Sequence, residues 1–220
     1  MFEIRDLYDF EGNKTDKTYY KGENIPNGYY PMVVMVVIRN SKGEFLMQKR
    51  VESKGGDWGV TGGHPKAGET PLEGIITEVK EELGLDFSNE NFIEYDSGCD
   101  GKDCYKMYFV NKDIDVKDIK IQEEELSEVK WFSMGELKHM VSINELNDDQ
   151  ISCFEKVCKF FISFAAIAVI AEESIPPDKK VHNGTSETNC LLMASNKIFR
   201  VLSTVVSKSS SCFLASNSQY

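Results

Sequence analysis

The chain has 220 residues, of which 41% are hydrophobic and 28% charged, and its formal net charge is -11 at pH 7. This length accommodates one hydrophobic core, or one domain with a substantial appendage. The negative charge argues against a nucleic-acid backbone or an anionic membrane surface as the main partner. The charge is unevenly placed, because residues 1–150 carry 31 acidic and 18 basic side chains, whereas residues 151–220 carry 5 and 7.

The first ten residues, MFEIRDLYDF, contain no basic region followed by an apolar stretch. We therefore expect no secretory signal and a cytoplasmic location. Two pairs of the six cysteines, Cys99 with Cys104 and Cys153 with Cys158, are each separated by four residues. Neither pair has the short C-x2-C spacing and nearby histidines of a zinc site, so we expect reduced thiols.

The first elements predicted along the chain are strands. Residues 1–30 are polar and contain two turn signals. The run Met32–Ile38 is apolar and rich in β-branched residues, which predicts a strand buried on both faces. Glu44–Arg50 follows a turn and predicts a second strand. The glycine-rich segment Lys54–Gly63 predicts a loop.

An acidic helix is predicted next. Thr70 and Glu73 have the spacing of a capping box, and Pro71 lies at the first helical position, so the helix begins there. Gly84 predicts its end. Apolar residues at helical spacing predict one buried stripe, formed by Leu72, Ile75, Ile76, Val79 and Leu83.

Three carboxylates of this helix, those of Glu78, Glu81 and Glu82, are predicted on roughly the opposite face. A solvated acidic face is one interpretation. However, Glu78 and Glu82 form a like-charged i,i+4 pair that costs a few tenths of a kcal/mol, about 0.2–0.5, and neither has a lysine four residues downstream. A hard divalent cation would relieve this repulsion, since clustered carboxylate oxygens are what Mg²⁺ or Mn²⁺ prefers.

The second half of the domain is predicted to continue with strands and then helices. Tyr105–Val110 and Glu128–Phe132 have strand character, and a capping box at Ser133 predicts a short helix. Asn147, with Gln150 three residues later, predicts a longer helix through Phe161. This order of elements predicts an α/β layered domain.

The C-terminal part of the chain has a different character. Residues 160–171 are apolar at eleven of twelve positions, and residues 203–219 contain seven serines. A transmembrane helix needs about 20 apolar residues, so we expect no membrane anchor. We interpret residues 162–220 as a poorly ordered extension of unknown role, whose apolar pieces dock on the domain of residues 1–161 or promote self-association.

The segment from Gly63 to Leu85, GHPKAGETPLEGIITEVKEELGL, resembles the Nudix box. Eight of the nine positions that the box specifies match: Gly63, Glu69, Glu78, Val79, Glu81, Glu82, Gly84 and Leu85. The ninth, an arginine in the family, is Thr77 here. The resemblance covers roughly residues 1 to 160, is strongest to a bacterial group related to isopentenyl-diphosphate isomerases, and implies the Nudix fold, an α/β fold with a mixed β-sheet sandwiched between helices.

The resemblance also implies a function and a site. Nudix enzymes hydrolyse a nucleoside diphosphate linked to another group, with Mg²⁺ or Mn²⁺ as cofactor. It implies that Glu78, Glu81 and Glu82 are catalytic and metal-binding carboxylates, one of which serves as general base. It further implies the backbone carbonyl of Gly62 as a metal ligand.

Three residues outside the box are weaker candidates for the site. Glu125 lies at the position of an additional acidic ligand in some members, although it also belongs to the solvated run 123–125. Lys49 and Arg50 end the second strand near the box and are candidates for phosphate binding, with ordinary surface charges as the alternative.

Two departures from the family pattern keep other functions open. Thr77 cannot make the bidentate contacts of an arginine, which implies slowed hydrolysis or a module that binds a nucleotide or partner without turnover. His64 lies in a Gly-His-Pro segment that also occurs in the isomerase relatives, where a catalytic cysteine precedes it. Gly62 takes that position here, so we interpret His64 as a loop residue or a peripheral substrate contact.

Overall fold

The computed structural model describes residues 3–146 and 150–160 of the chain. The chain divides into two units, Met1–Lys156 and Val157–Tyr220. Every strand and helix named below lies in the first unit, apart from the last turn of the final helix. The predicted boundary at residue 161 and the predicted extension fall outside the described residues and stay predictions.

Within the described residues, nine strands pair into one mixed sheet, accompanied by three α-helices and two short 3₁₀ helices. The strands are β1 (Ile4–Tyr8), β2 (Lys14–Tyr20), β3 (Tyr30–Arg39), β4 (Phe45–Arg50), β5 (Trp58–Gly59), β6 (Thr61–Gly63), β7 (Ile93–Cys99), β8 (Cys104–Asn111) and β9 (Leu126–Phe132). The α-helices are α1 (Pro71–Leu83), α2 (Met134–Ser142) and α3 (residues 150–160), and the 3₁₀ helices are Glu52–Lys54 and Val116–Asp118. None of the described helices is long and apolar enough to cross a membrane.

Strand β3 organises the sheet. It pairs antiparallel with β1, β4 and β6, and it runs parallel to β8 over eight residue pairs, from Met32↔Cys104 to Arg39↔Asn111. The predicted burial on both faces is confirmed, because Val36 and Val37 are adjacent in the strand and each is only 1% exposed. Strand β4 pairs with β5 on one side and with β9 on the other.

Helix α1 packs on one face of this sheet. Ile75, Val79 and Leu83 are fully buried and belong to the same core cluster as Val34 and Leu46. Burying three such side chains contributes on the order of 5–8 kcal/mol before the cost of chain ordering. Two members of the predicted stripe lie outside it: Leu72 in the first turn is 40% exposed, and Ile76 is only half-buried.

Helix α3 covers the other face of the sheet. Its Phe154 is fully buried, and the Phe154 ring lies edge-on to that of Phe45 with the ring centroids 5.1 Å apart. Phe45 and Leu46 are neighbours on β4, so their side chains point to opposite faces. The layered α/β architecture predicted from the sequence is thereby confirmed.

Several elements differ from the predictions. Residues 4–20 form the hairpin β1–β2, whose exposed polar positions hid the strand pattern. Strand β7 was missed for the same reason, because charged and small residues fill its sequence IEYDSGC. The predicted loop Lys54–Gly63 contains two short strands. They form because β5 pairs with β4 and β6 pairs with β3.

The cysteines are a further correction. Cys99 and Cys104 form a disulfide between β7 and β8, where the two residues stand opposite each other in the pairing register. The expectation of reduced thiols is therefore wrong for this pair. The β7–β8 hairpin brings the two side chains together, and their spacing in the sequence does not show this. Cys153 is buried and Cys158 is partly buried.

Candidate active site

Helix α1 begins and ends where the sequence predicts. The Thr70 side chain accepts a hydrogen bond from the Glu73 backbone N–H, and the Glu73 carboxylate accepts one from the Thr70 backbone N–H. This reciprocal capping satisfies two backbone donors at the first turn. The helix ends at Gly84, whose φ of 67° is left-handed. The two caps fix where α1 begins and ends, and so fix the position of each of its carboxylates along the helix.

The sequence predicts all three carboxylates of α1 on the face opposite the buried stripe, and this is wrong for two of them. Glu78 lies three residues after Ile75, and Glu82 lies three residues after Val79, so each shares part of the buried face. Both glutamates are half-buried as a result, whereas Glu81 is exposed. The predicted trio thus consists of two carboxylates at the edge of the core and one in solvent.

Glu78 lies directly against the backbone of β6. A Cβ atom placed on Gly63 would lie 2.2 Å from Glu78 Oε1, so a glycine is required at this position for the carboxylate to fit. Burial, followed by the neighbouring charges of Glu82 and Glu81, raises the pKa of Glu78 to about 7. Without a cation, Glu78 is therefore partly protonated near neutral pH.

Glu82 is buried to a similar degree but has more hydrogen-bond support. Gln48 Nε2 donates to Glu82 Oε2 at 2.7 Å. Burial raises the pKa of Glu82, whereas this hydrogen bond, the charge of Arg50 and a hydrogen bond from the Gly62 backbone lower it. The neighbouring charge of Glu125 raises it. The protein therefore places two hydrogen-bond donors and the positive charge of Arg50 around a carboxylate that burial alone would protonate.

Glu81 and Glu125 each have a lysine partner. Lys66 Nζ, from the loop before α1, lies 2.5 Å from Glu81 Oε1, and about half of each side chain is exposed. Lys54 forms an ion pair with Glu125. In the described part of the chain, no three His, Cys, Asp or Glu side chains are gathered closely enough to hold a metal ion.

Backbone hydrogen bonds bring Glu125 towards α1 despite its distance in sequence. The N–H of Gln122 donates to the carbonyl of Glu82 at 3.0 Å, and the N–H of Lys120 donates to that of Leu83 at 2.9 Å. The N–H of Val51 donates to the carbonyl of Glu125 at 3.0 Å. The loop before β9 is thus held between the end of α1 and the end of β4. This contact explains how the charge of Glu125 acts on Glu82.

The two basic candidates at the end of β4 differ in position. Arg50 is exposed and lies close enough for its charge to lower the pKa of Glu82. Lys49 lies between Gln48 and Arg50, and successive side chains of a strand point to opposite faces. The Lys49 side chain is therefore opposite that of Gln48, which contacts Glu82. Arg50, in contrast, follows an irregularity in the β4–β9 pairing and is placed near the carboxylates by its charge effect on Glu82.

Thr77 has a partner inside the box. Its hydroxyl donates to Glu69 Oε1 at 2.9 Å, and the Lys66 backbone N–H donates to Glu69 Oε2 at 2.8 Å. Glu69 therefore ties the loop before the helix to the middle of the helix. One neutral hydrogen bond from Thr77 replaces the charge-assisted bidentate contact that an arginine makes.

The isomerase alternative loses support from the backbone around Gly62. A Cβ atom on Gly62 would lie 2.5 Å from the carbonyl oxygen of Val34, because Gly62 pairs with Met35 in the sheet. A cysteine does not fit there without moving the central strand. His64 is partly buried, and burial, followed by the charge of Arg5, lowers its pKa to about 4. It is neutral at physiological pH, so the imidazolium form that could donate a proton is scarcely populated.

Sequence reasoning missed three residues that contact the carboxylates, Gln48, Lys54 and Lys66, and also Thr61, which contacts Gln48. The only available signal concerned Gln48, a polar residue directly after the apolar run FLM of β4. The lysines lie 15 and 71 residues from their partners, so helical spacing could not reveal them.

A family model for the NUDIX domain matches residues 29–152 of this chain. An uncharacterised Nudix hydrolase of Listeria innocua is 33% identical over 149 residues, which cover 64% of this chain and 85% of the relative. A second one, from Listeria monocytogenes, is 32% identical over the same shares. The chain belongs to the Nudix hydrolase family, which in general cleaves pyrophosphate bonds in nucleoside diphosphate derivatives.

The fold has counterparts among solved structures. The crystal structure of DR0079 from Deinococcus radiodurans matches 70% of this chain and 98% of its own length, with a TM-score of 0.59 and 19% sequence identity. At this identity the match shows the fold alone. The Nudix fold predicted from the box is therefore confirmed both by the family match and by the architecture.

Proposed function

We propose that this protein is a Mg²⁺-dependent or Mn²⁺-dependent diphosphatase that hydrolyses a nucleoside diphosphate linked to another group. The observation that carries the proposal is the pair of half-buried carboxylates, Glu78 and Glu82, whose pKa values are both raised. Burying two like charges one helical turn apart is unfavourable for folding. A divalent cation between them would offset that cost.

The residues present fit a hard divalent cation. Carboxylate and backbone carbonyl oxygens are the preferred donors of Mg²⁺ and Mn²⁺. Glu82 would be the principal ligand, because Gln48, Arg50 and the Gly62 backbone favour its charged form. The remaining donors of the proposed site are Glu78, Glu81, Glu125 and the carbonyl of Gly62. When bound, the cation would neutralise phosphate charge and stabilise the charge that develops on the phosphate oxygens.

Residues of the chain would supply proton transfer and phosphate binding. Glu78 would take the proton from the attacking water, because a carboxylate held beside the bound cation would be ionised near neutrality and able to accept it. Arg50, which lies near the carboxylates, would contact a phosphate oxygen of the substrate, and Lys49 would act further out. The localisation that we propose for this activity is the cytoplasm.

The test is hydrolysis of a panel of nucleotides by the full-length protein, with and without Mg²⁺, and with Glu82→Gln as the key variant. This substitution removes a charge and keeps the shape. We expect Mg²⁺-dependent release of phosphate-containing products by the wild type, and loss of both Mg²⁺ binding and hydrolysis in the variant. Metal-dependent turnover at the wild-type rate in Glu82→Gln would reject the proposed site.

A second candidate function is a module that binds a nucleotide or a partner without turnover. The observation that favours it is Thr77, whose single neutral hydrogen bond to Glu69 holds the box less firmly than an arginine would. Under this alternative, the wild type binds Mg²⁺ and nucleotides but releases no product from any member of the panel. The same assay therefore separates the two functions.

A further inference from the structure

Gln48 is a buried polar residue that follows three apolar core residues of β4. Its neighbours Leu46 and Met47 belong to the core, and Gln48 itself is only 5% exposed. Burying an amide without partners costs on the order of 1–3 kcal/mol. The partners of Gln48 therefore decide why this position carries a glutamine.

Both ends of the Gln48 amide are used. The Thr61 hydroxyl donates to Gln48 Oε1 at 2.8 Å, and Gln48 Nε2 donates to Glu82 Oε2 at 2.7 Å. An ionised carboxylate can only accept hydrogen bonds, so the NH₂ group of the amide must face Glu82. The amide oxygen then faces Thr61, whose hydroxyl is free to rotate and donate. The chemistry of the three groups thus fixes the orientation of the amide.

The backbone under Gln48 is held on both sides. Gln48 pairs with Gly59 of β5 and with Val129 of β9. Thr61 pairs with Val36 in the central strand and directly precedes Gly62. One side chain therefore connects the strand that carries Gly62 to the helix that carries Glu82. These are two of the donors in the proposed metal site.

We infer that Gln48, with Thr61 behind it, is the positioning residue that holds Glu82 ready for the divalent cation. This inference rests on the proposed function, in which Glu82 is the principal ligand. The hydrogen bond from Gln48 is made to one oxygen of the carboxylate, Oε2, and so restricts the orientation of the Glu82 side chain. Outer partners of this kind typically change metal affinity by about 10-fold to 100-fold when removed.

The experiment measures Mn²⁺ binding alone to the full-length protein, from the loss of the electron paramagnetic resonance signal of free Mn²⁺. Four variants are compared with the wild type. Gln48→Met keeps the length of the side chain and removes the amide, and Thr61→Val keeps the shape and removes the hydroxyl. Thr61→Ser keeps the hydroxyl. Glu82→Gln tests the proposed ligand itself.

A matched control is Thr15→Val in β2, because the Thr15 hydroxyl donates at 2.7 Å to the carbonyl of Leu7, away from the carboxylates. We expect Gln48→Met to bind Mn²⁺ about tenfold more weakly. Thr61→Val should show a smaller loss in the same direction, and Thr61→Ser should restore the wild-type affinity. Thr15→Val should lower the melting temperature without changing Mn²⁺ affinity.

The outcomes separate this inference from the proposed function. If Glu82→Gln loses Mn²⁺ binding while Gln48→Met and Thr61→Val bind it as the wild type does, Glu82 is a ligand and Gln48 does not position it. If Glu82→Gln binds Mn²⁺ normally, the proposed metal site is wrong and the role of Gln48 falls with it. Should Gln48→Met fail to fold, the Mn²⁺ affinities of Thr61→Val and Thr61→Ser test the inference, because Thr61 contacts the same Gln48 amide. Equal affinities in these two variants would contradict it.

Discussion

The four carboxylates of the candidate site form two pairs with opposite environments. Glu78 and Glu82, the inner pair, lie half-buried at the edge of the core, and both have raised pKa values. Glu81 and Glu125, the outer pair, are partly exposed and are each neutralised by a lysine. The inner pair is unfavourable without a cation, whereas the outer pair already has its counterions.

This difference explains why no three carboxylates are gathered in the described residues. Lys66 holds Glu81, and Lys54 holds Glu125, away from a common point. Solvent-exposed ion pairs contribute about 0–1 kcal/mol, so a divalent cation at the inner pair can displace these lysines at small cost. In the proposed function, burial would prepare the inner pair for a cation, and the outer pair would join when one is bound.

The largest expected effect separates the two pairs by their kinetic roles. Glu78→Gln should lower kcat roughly 100-fold or more, because it removes the proposed general base. Glu125→Gln should lower kcat less than about tenfold, because saturating Mg²⁺ would offset the weaker binding that follows from losing one outer donor. The measurement is steady-state hydrolysis of the best substrate of the panel at saturating Mg²⁺. Equal losses in the two variants would abolish the distinction between inner and outer carboxylates.

The next effect concerns the pH dependence of stability in the metal-free protein. The pKa of Glu78 is raised from about 4.5 to about 7 in the folded state, so between these values the folded state binds more protons than the unfolded state. Stability then falls as pH rises through this window. At pH 8 the ionised Glu78 should cost about 3 kcal/mol, since one pKa unit corresponds to about 1.4 kcal/mol.

Urea unfolding of the wild type and of Glu78→Gln in EDTA, from pH 4 to pH 8, isolates this contribution. The variant should match the wild type at low pH and become the more stable protein as pH rises. Saturating Mg²⁺ at pH 8 should reverse the order, because the wild type binds the cation more tightly. A stability difference that does not change with pH would show that Glu78 is not held in an unfavourable charged state.

The smallest expected effect concerns Thr77, next to the outer pair. Thr77→Arg should raise kcat roughly fivefold, because an arginine makes charge-assisted contacts to Glu69 and lies four residues before Glu81 on the same face. Thr77→Val should lower kcat, since it removes the hydrogen bond to Glu69, and Thr77→Ser is its matched control. If Thr77→Arg folds and binds Mg²⁺ but hydrolyses the substrate no faster than the wild type, the threonine does not leave the carboxylates of the box badly oriented.

Much of the fold and the inner part of the site could be predicted from the sequence. Local signals identified α1, because its capping residues and apolar spacing act within a single element. The same applies to β3, whose unbroken apolar run requires burial on both faces. The hairpin β1–β2 and strand β7 could not be predicted in this way. Their side chains are largely polar, and only pairing with neighbouring strands gives them strand structure.

For the site, the sequence determined which residues carry carboxylates and which of them share a helix. It could not assign the burial of Glu78, because that depends on how closely the Gly63 backbone approaches the helix. Nor could it identify the counterions. The search for a lysine four residues downstream considered only α1, whereas Lys66, Lys54 and Arg50 come from other elements.

By itself, then, the sequence determined the family, through the spacing of the box, and the register of its helix, through Thr70 and Gly84. These are local properties, set by hydrogen bonds within a few residues. The tertiary structure alone decided which carboxylates are inner and which are outer, and it placed Gln48 between Thr61 and Glu82. The physical reason is that burial and charge pairing depend on distances in space, and residues far apart in sequence supply them.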